Sequence, residues 1–152
     1  MASSKFSLNV SNVLKGFVEV NTKSLTAAEV GVGRAMIQLK TDMIMQRPTA
    51  PIKEGWLRGA TSVHVQSKEL NTPLGPGEKP GKALHGKLGE VKPGKIIGLI
   101  GVNVPYAARW HEVPAKFTEP SAGNKYLEAK MANNKMIYKK IISNAIAEGH
   151  KT

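Results

Sequence analysis

One stripe of apolar residues constrains the fold of this chain more than any other feature of its sequence. Four residues recur at offsets i, i+4, i+7 and i+11, namely Val32, Met36, Leu39 and Met43. This spacing places their side chains on one face of an α-helix. Thr26 followed by Glu29 is a capping-box pattern, and Pro48 ends the helix because proline lacks the backbone N–H that a helix interior requires. The pattern predicts an amphipathic helix from about Ser24 to Gln46.

Other segments have the two-residue period of β-strands. Apolar and polar residues alternate from Leu57 to Gln66, which predicts a half-buried strand. The run from Ile96 to Val104 is apolar on both faces, which predicts a strand in the middle of a sheet. Gly98 and Gly101 within that run indicate a bulge or the close approach of another backbone. A shorter alternation from Phe6 to Val10 predicts one further strand.

The C-terminal third is predicted to be helical. Residues Tyr106 to Glu112 favour a short helix, and a longer helix is expected from about Asn124 to Ala147. The apolar face of the longer helix consists of Leu127, Met131, Tyr138, Ile141 and Ala145. Asn134 falls in the same stripe and interrupts it. The chain of 152 residues shows no domain boundary, so residues 1–152 are expected to form one domain.

The segment from Lys68 to Lys95 has the most unusual composition, with four prolines, six glycines and six lysines. The sequence Lys-Pro-Gly-Lys occurs in it twice, at Lys79–Lys82 and at Lys92–Lys95. Each copy is a turn signature because proline presets φ and glycine allows a positive φ. Loops of this length in compact domains are usually functional or disordered. We expect an extended basic arm that becomes ordered against a partner.

Composition excludes several kinds of protein. Without cysteine, the chain has no disulfide scaffold, no thiol nucleophile and no cysteine-based metal site. No stretch approaches the ~20 apolar residues that would span a bilayer, so no membrane is expected as a partner. Residues Met1 to Lys5 lack the apolar stretch of a signal peptide, and a cytosolic protein is therefore expected.

The common catalytic motifs are incomplete. A phosphate-binding P-loop around Gly81-Lys82 would need glycine and a hydroxyl residue where Pro76 and Ala83 stand. The zinc-binding His-Glu-x-x-His pattern begins at His111 but has Ala115 in place of its second histidine. The Gly-x-Ser-x-Gly elbow of serine hydrolases does not occur. The sequence therefore predicts a protein that is not an enzyme and that binds no cofactor or metal.

The charge of the chain favours an anionic partner without identifying one. Lys and Arg outnumber Asp and Glu by 22 to 11, which leaves a net charge of +11. Lysine outnumbers arginine by 18 to 4, however, and aromatic residues make up only 5% of the chain. Arginine is preferred for bidentate recognition of phosphates and bases, and aromatic residues for stacking on single strands. A basic protein that binds nucleic acid without sequence preference is one interpretation. A basic surface for solubility or for an acidic protein partner is another.

Three aromatic residues, Trp56, Tyr106 and Trp110, lie beside turns or strand ends. Large aromatic side chains at such places can anchor interfaces between proteins. They can equally seal the core where helices meet a sheet. The sequence leaves both roles open.

Three motifs occur in a characteristic order. The first is Gly55-Trp56-Leu57-Arg58, which follows a proline-terminated helix and leads into a strand. The second is Gly101-Val102-Asn103, followed by Tyr106-Ala107 and by His111-Glu112. The third is Phe117, Pro120 and then Lys125-Tyr126-Leu127-Glu128 at the beginning of the last helix. In this order, from about Val13 to Ala147, the chain resembles the head–tail joining or tail-completion proteins of tailed bacteriophages, also described as minor capsid or neck proteins.

The resemblance implies an α+β fold in which the long helix of the N-terminal half and the C-terminal helix pack on a small, mainly antiparallel sheet. It also implies a structural protein of the virion neck, made in the host cytoplasm, that forms a ring of its own copies between portal and tail. Expected neighbours are portal or adaptor proteins and tail-tube or tail-terminator proteins, with nonspecific contact to packaged DNA. The candidate assembly residues are Trp56, Arg58, Lys79, Lys82, Lys87, Lys92, Lys95, Tyr106, Arg109, Trp110 and His111.

Overall fold

The computed structural model describes residues 3–8, 22–51, 56–66, 68–70, 72, 74, 78–79 and 95–151. The strands are β1 (Ser3–Leu8), β2 (Thr61–Val65), β3 (Lys68–Leu70) and β4 (Ile96–Val102). The helices are α1 (Thr22–Met45), α2 (Trp56–Gly59, a single turn), α3 (Ala107–Glu112), α4 (Tyr126–Asn133) and α5 (Lys135–Lys151). These elements form an α+β fold with helices packed on a small antiparallel sheet, as the resemblance implies.

The sheet has the strand order β1-β4-β2-β3, and every neighbouring pair in it is antiparallel. Strand β4 pairs with β1 on one side and with β2 on the other, which confirms the predicted central strand. The strand predicted from Phe6 to Val10 is confirmed up to Leu8, and β1 begins earlier, at Ser3; Asn9 and Val10 lie outside the described residues. Strands β2 and β3 form a hairpin, and Gln66 in its turn has a left-handed φ of 50°.

Helix α1 covers one face of the sheet, as its apolar stripe predicts. The stripe residues Val32, Met36, Leu39 and Met43 are all buried. Gly98 of β4 leaves the space that Met36 fills, since a Cβ at position 98 would lie 2.7 Å from the Met36 side chain. The hydrogen-bonded ladder of β4 runs past Gly98 and Gly101 without interruption. The predicted bulge is therefore absent, and a helix side chain makes the close approach.

Helix α5 packs antiparallel against α1. Ser24 near the beginning of α1 lies next to His150 near the end of α5, with 3.1 Å between Ser24 Oγ and His150 Nε2. Between the ends, a Cβ at Gly31 would lie 3.0 Å from both the Ile142 Cα and the Ala145 Cβ. Glycine at position 31 therefore lets the two helix backbones approach closely, which explains a residue that lowers helix propensity by about 1 kcal/mol relative to alanine.

The single helix predicted from Asn124 to Ala147 is in fact two helices, α4 and α5, which meet at Asn134. This residue is buried and has φ −103° and ψ 12°, outside the values of a helix. Its Nδ2 donates to Asp42 Oδ2 at 3.0 Å and to Gln46 Oε1 at 2.8 Å. The interruption of the apolar stripe is therefore a polar contact between α1 and the junction of the two helices. Helix α5 also extends beyond the predicted end, to Lys151.

Two details of the strand predicted from Leu57 to Gln66 are wrong. Residues Trp56–Gly59 form the helical turn α2, so the buried Leu57 side chain enters the core from a turn. All five residues of β2 are buried, including Ser62 and His64 on the face that points away from α1. The strand is therefore covered on both faces and is not half-buried. The short helix predicted between Tyr106 and Glu112 is confirmed by α3.

Candidate functional site

The three sequence motifs, which are far apart in the chain, meet in the fold. Asn103 N donates to Ala60 O at 3.1 Å, which joins the second motif to the end of the first. Lys125 N donates to His111 O at 2.7 Å, which joins the third motif to the second. The ion pair between Arg58 and Glu119 joins the first motif to the third. Residues 56–60, 103–113 and 117–128 are termed the motif cluster.

Arg58 of the first motif holds the segment that follows α1. Its Nε and Nη2 both donate to Ala50 O, at 2.8 and 2.6 Å. Its Nη2 also lies 3.6 Å from Glu119 Oε1. Arg58 is only 7% exposed, so the guanidinium needs these oxygens to offset its loss of water. Arg58 therefore stabilises the fold and is not part of the exposed surface, contrary to its expected place in an interface.

A buried lysine holds the same segment from another side. Lys130 of α4 is 2% exposed, and its Nζ donates to Pro48 O at 2.8 Å. Burial lowers the pKa of Lys130, and the Asp42 carboxylate opposes that shift. Thr49 N also donates to Ser121 O at 2.8 Å. Two buried cations and a backbone bond thus fix the exit of α1 against the loop before α4.

His111 and Tyr126 form the interior of the motif cluster. Their rings meet edge to face, with centroids 4.9 Å apart. His111 Nδ1 lies 2.7 Å from Glu112 Oε1, whereas His111 Nε2 and Tyr126 Oη are buried without a hydrogen-bond partner. Burial raises the pKa of the Tyr126 hydroxyl. His111 is 5% exposed, so it too lies in the interior and not on the surface expected to contact a neighbour.

Charged side chains on the outside of the motif cluster orient the beginning of α4. Lys125 Nζ pairs with Glu112 and with Glu128 Oε2, the latter at 3.0 Å. The hydrogen bond from Lys125 lowers the pKa of Glu112, and the bond from His111 adds to the shift. Lys125 has a left-handed φ of 54°. Exposed ion pairs contribute little to stability, so their effect here is to position Lys125 immediately before the helix.

The motif cluster has exposed aromatic, apolar and cationic side chains at α3 and beside it. Tyr106 is 41% exposed and Val113 is 50% exposed. The Arg109 guanidinium lies 5.9 Å from the centroid of the Trp110 ring, and Trp110 tilts against Phe117 with centroids 5.7 Å apart. Aromatic and arginine side chains are the residues that most often anchor interfaces. Tyr106, Arg109, Trp110 and Val113 are termed the α3 surface.

A second exposed apolar surface was not predicted. It is termed the helical-layer surface and consists of Val30, Ile37 and Met45 of α1 and Ile137 of α5, which are 41% to 75% exposed. Arg34 of α1 pairs with Glu148 of α5 at 2.8 Å, which shows that the outer sides of the two helices adjoin. The sequence does contain a signal for this surface: Val30 and Ile37 are spaced i, i+7, which places them on one side of the helix, away from the predicted stripe.

The predicted arm begins as a strand and not as a loop. Residues Lys68–Leu70 form β3 at an edge of the sheet. At the other end of the arm, Lys95 O accepts a hydrogen bond from Gln66 Nε2 at 3.1 Å. Both ends of the arm therefore lie beside the β2–β3 turn. Outside the described residues lie Lys82, Lys87, Lys92 and the side chain of Trp56, although the Trp56 backbone is part of α2.

The described residues inside the arm contact α1 and α2. Lys40 of α1 is 6% exposed and donates from Nζ to Thr72 Oγ1 at 2.8 Å. Burial lowers the pKa of Lys40, and the Glu78 carboxylate opposes that shift. The Lys79 backbone lies so close to Gly59 that a Cβ at position 59 would overlap its carbonyl. Lys40 and Thr72 line a small polar cleft of about 90 Å³.

A serine and a histidine on β2 lack the arrangement of a catalytic pair. Ser62 Oγ lies 3.1 Å from His64 Nε2, and both residues are buried. Burial lowers the pKa of His64, and the Glu69 carboxylate on β3 opposes that shift. His64 Nδ1 has no hydrogen-bond partner, whereas a catalytic histidine is oriented by a carboxylate at this atom. Ser62 and His64 are neighbours on one face of the strand and fill the interior there.

In the part of the chain that the structure describes, no three His, Asp or Glu side chains are grouped so that they could hold a metal ion. None of the described helices is both long and apolar enough to span a bilayer. No family model, curated protein or solved structure matches the chain. The motif cluster is therefore interpreted from its own contacts and from the order of the motifs that compose it.

Proposed function

We propose that this chain is a structural protein of the neck of a tailed bacteriophage, where copies of it form a ring between portal and tail. The order of the three motifs supports this function. The observation that carries the proposal furthest is that the motifs, although distant in sequence, compose one cluster with an aromatic exposed side. Its neighbours in the virion would be portal or adaptor proteins on one side and tail-tube or tail-terminator proteins on the other.

The polar groups of the interior favour a structural role. Arg58 and Lys130 are buried, and both donate to backbone carbonyl oxygens of the segment after α1. Groups used in this way cannot reach a substrate. What remains at the surface of the motif cluster is suited to contact another protein.

A ring of identical subunits needs two different surfaces on each copy, because every head-to-tail contact joins one surface to the other. The described residues offer two such surfaces, the α3 surface and the helical-layer surface. Both contain apolar side chains that a neighbour would cover, and they lie on different helices. The contact between neighbouring copies is therefore assigned to these two surfaces.

Single charges introduced at the two surfaces test the assignment. Tyr106→Asp and Ile37→Asp each place a carboxylate where a partner side chain would pack, and the matched control Asn133→Asp changes an exposed residue at the end of α4, outside both surfaces. We expect the first two variants to raise the concentration at which rings form by at least about 30-fold, since loss of an interface anchor costs about 2 kcal/mol or more. Sedimentation velocity and negative-stain microscopy report the assembly state, and circular dichroism checks the fold.

Mixing the two variants distinguishes a ring contact from a symmetric one. Each variant keeps one intact surface, so an equimolar mixture of Tyr106→Asp and Ile37→Asp is expected to form heterodimers but no rings. A wild-type protein that stays monomeric at every concentration would contradict the proposed function. Equal loss of assembly in Asn133→Asp would contradict the assignment of the surfaces.

A further inference from the structure

Helix α5 carries a row of exposed lysines along its surface. The residues of α5 that pack inward are Tyr138, Ile142, Ala145 and Ile146. Lys135, Lys139, Ser143, Ala147 and Lys151 are exposed and follow one another at intervals of four residues, with the exposed Met136 and Lys140 beside them. Residues four apart are neighbours on a helix surface, so these residues form a continuous strip that winds along α5. Lys135, Lys139, Lys140 and Lys151 are termed the basic row.

The positive charge of the basic row is uncompensated within the described chain. Glu148 is the one acidic residue of α5; it lies three residues before Lys151, but its carboxylate pairs with Arg34 at 2.8 Å. No carboxylate of the described residues lies within ion-pair distance of a lysine in the row, since the ion pairs there involve other cations. At a rise of 1.5 Å per residue, the row from Lys135 to Lys151 is about 24 Å long. A single ligand that contacts the whole row would be an extended polyanion.

We propose that the basic row binds the phosphate backbone of duplex DNA without reading its sequence. Duplex DNA presents one negative charge per about 1.7 Å of its axis, so a row of this length meets phosphates along its whole extent. Lysine acts as a point charge and suits such contact, whereas base recognition favours arginine, asparagine and glutamine. The row also lacks the tryptophan, tyrosine and arginine anchors of a tight protein interface, and Met136 is its one large apolar residue.

This inference rests on the proposed function for the source of the duplex, which would be the packaged genome as it passes the neck. The chemistry of the contact does not depend on that source. DNA binding by the basic row and ring formation by the two apolar surfaces use different residues. One can therefore fail while the other holds.

Fluorescence anisotropy with a short labelled duplex of mixed sequence tests the proposal, using the full chain over a series of salt concentrations. The logarithm of the binding constant is expected to fall with the logarithm of salt concentration with a slope near −4, about −0.9 for each of four neutralised phosphates. The double variant Lys139→Gln with Lys140→Gln should make that slope shallower by about 2. The matched control is Lys68→Gln with Lys116→Gln, which removes the same charge from exposed positions elsewhere and should leave the slope nearly unchanged.

Two outcomes would overturn the assignment. Equal changes of slope in the two double variants would mean that only the total charge matters. Tighter binding to poly-glutamate than to the duplex, with the same loss in Lys139→Gln/Lys140→Gln, would make the partner an acidic protein. Negative-stain microscopy of the same samples reports rings separately, so a failure of DNA binding with intact rings leaves the proposed function standing, and DNA binding without rings does the reverse.

Discussion

Two buried polar regions of this protein differ in how their hydrogen bonds are satisfied. Between α1 and the α4–α5 junction, the Asp42 carboxylate accepts bonds from four donors, which are Gln38 Nε2, Gln46 Nε2, Asn134 Nδ2 and Tyr138 Oη, at 2.7 to 3.1 Å. In the motif cluster, by contrast, His111 Nε2 and Tyr126 Oη are buried and have no partner. A buried polar atom without a partner costs about 1–3 kcal/mol.

The difference concerns how each region contributes to the stability of the fold. The Asp42 network fixes the register of two long helices that carry the core, so every donor there is placed for stability. The motif cluster accepts two unpaired atoms in its interior and presents aromatic side chains outside. The Asp42 network therefore pairs its buried polar groups with one another, whereas the motif cluster combines the paired Arg58 guanidinium with two unpaired buried atoms. This difference is compatible with the assembly surface that we propose.

The largest change in stability is expected from a substitution at Asp42. Asp42→Ala removes the acceptor shared by four donors and leaves buried N–H and O–H groups unpaired. We expect the free energy of unfolding to fall by about 3 kcal/mol or more. Urea denaturation followed by circular dichroism measures it. Thr41→Ala, one residue away and exposed, should change it by no more than about 0.5 kcal/mol. A loss below about 1 kcal/mol in Asp42→Ala would show that the network contributes little.

Asn134 gives a smaller effect whose sign is decisive. The apolar stripe alone predicts that Asn134→Leu repairs a flaw and stabilises the chain. The structure predicts the opposite, because the leucine would leave Asp42 Oδ2 and Gln46 Oε1 without this donor, and we expect a loss of about 2 kcal/mol. The same denaturation experiment on Asn133→Leu, an exposed neighbour, supplies the control. Stability equal to or above that of the wild type in Asn134→Leu would contradict the structure.

The smallest effect compares one substitution in both regions. Tyr138→Phe removes the hydroxyl that donates to Asp42 Oδ2 at 2.7 Å, and should cost about 1.5 kcal/mol because the acceptor is charged. Tyr126→Phe removes a buried hydroxyl without a partner, and should be neutral or stabilising by up to about 1 kcal/mol. Equal losses in the two variants would mean that the two regions do not differ.

The dependence of stability on alkaline pH provides an independent test of Tyr126 and Tyr138. Burial raises the pKa of both Tyr126 and Tyr138, and for Tyr138 the bond to Asp42 adds to the shift. The unfolded chain then loses these protons from about pH 10, before the folded chain does. Stability is therefore complete below pH 10 and falls as the pH rises above it. Each Tyr→Phe variant should lose part of this alkaline decline.

The parts of the fold that follow from local periodicity could be predicted from the sequence. The stripe from Val32 to Met43 specifies a helix with one buried face, and the run from Ile96 to Val102 is apolar on both faces because strands flank it. The period of the apolar residues indicates which side chains are buried, and whole buried side chains define both of these elements. The positions of Tyr106 and Trp110 beside a turn were also read from the sequence, and in the structure Tyr106 is exposed and Trp110 is partly buried.

The contacts of polar residues could not be predicted in the same way. Asn134 looked like a flaw because its partner Asp42 is 92 residues away in sequence. The burial of Lys130 could not be predicted either, because the carbonyl to which it donates, Pro48 O, is 82 residues away. Arg58 and His111 were expected at the surface for the same reason. The packing of distant segments determines the oxygen to which a buried cation donates. No local sequence pattern contains that information.

The close approach of Gly59 and Lys79 has a consequence for how the sequence can change. The Lys79 carbonyl occupies the space that any side chain at position 59 would need. The residues that position 59 can accept therefore depend on the path of the chain at residue 79, although the two positions are 20 residues apart in sequence. A variant such as Gly59→Ala can be tolerated only if the chain near residue 79 is displaced, and second-site revertants selected from it should cluster there. Among related chains that keep this path of the arm, glycine at position 59 is expected to be the least variable residue of α2.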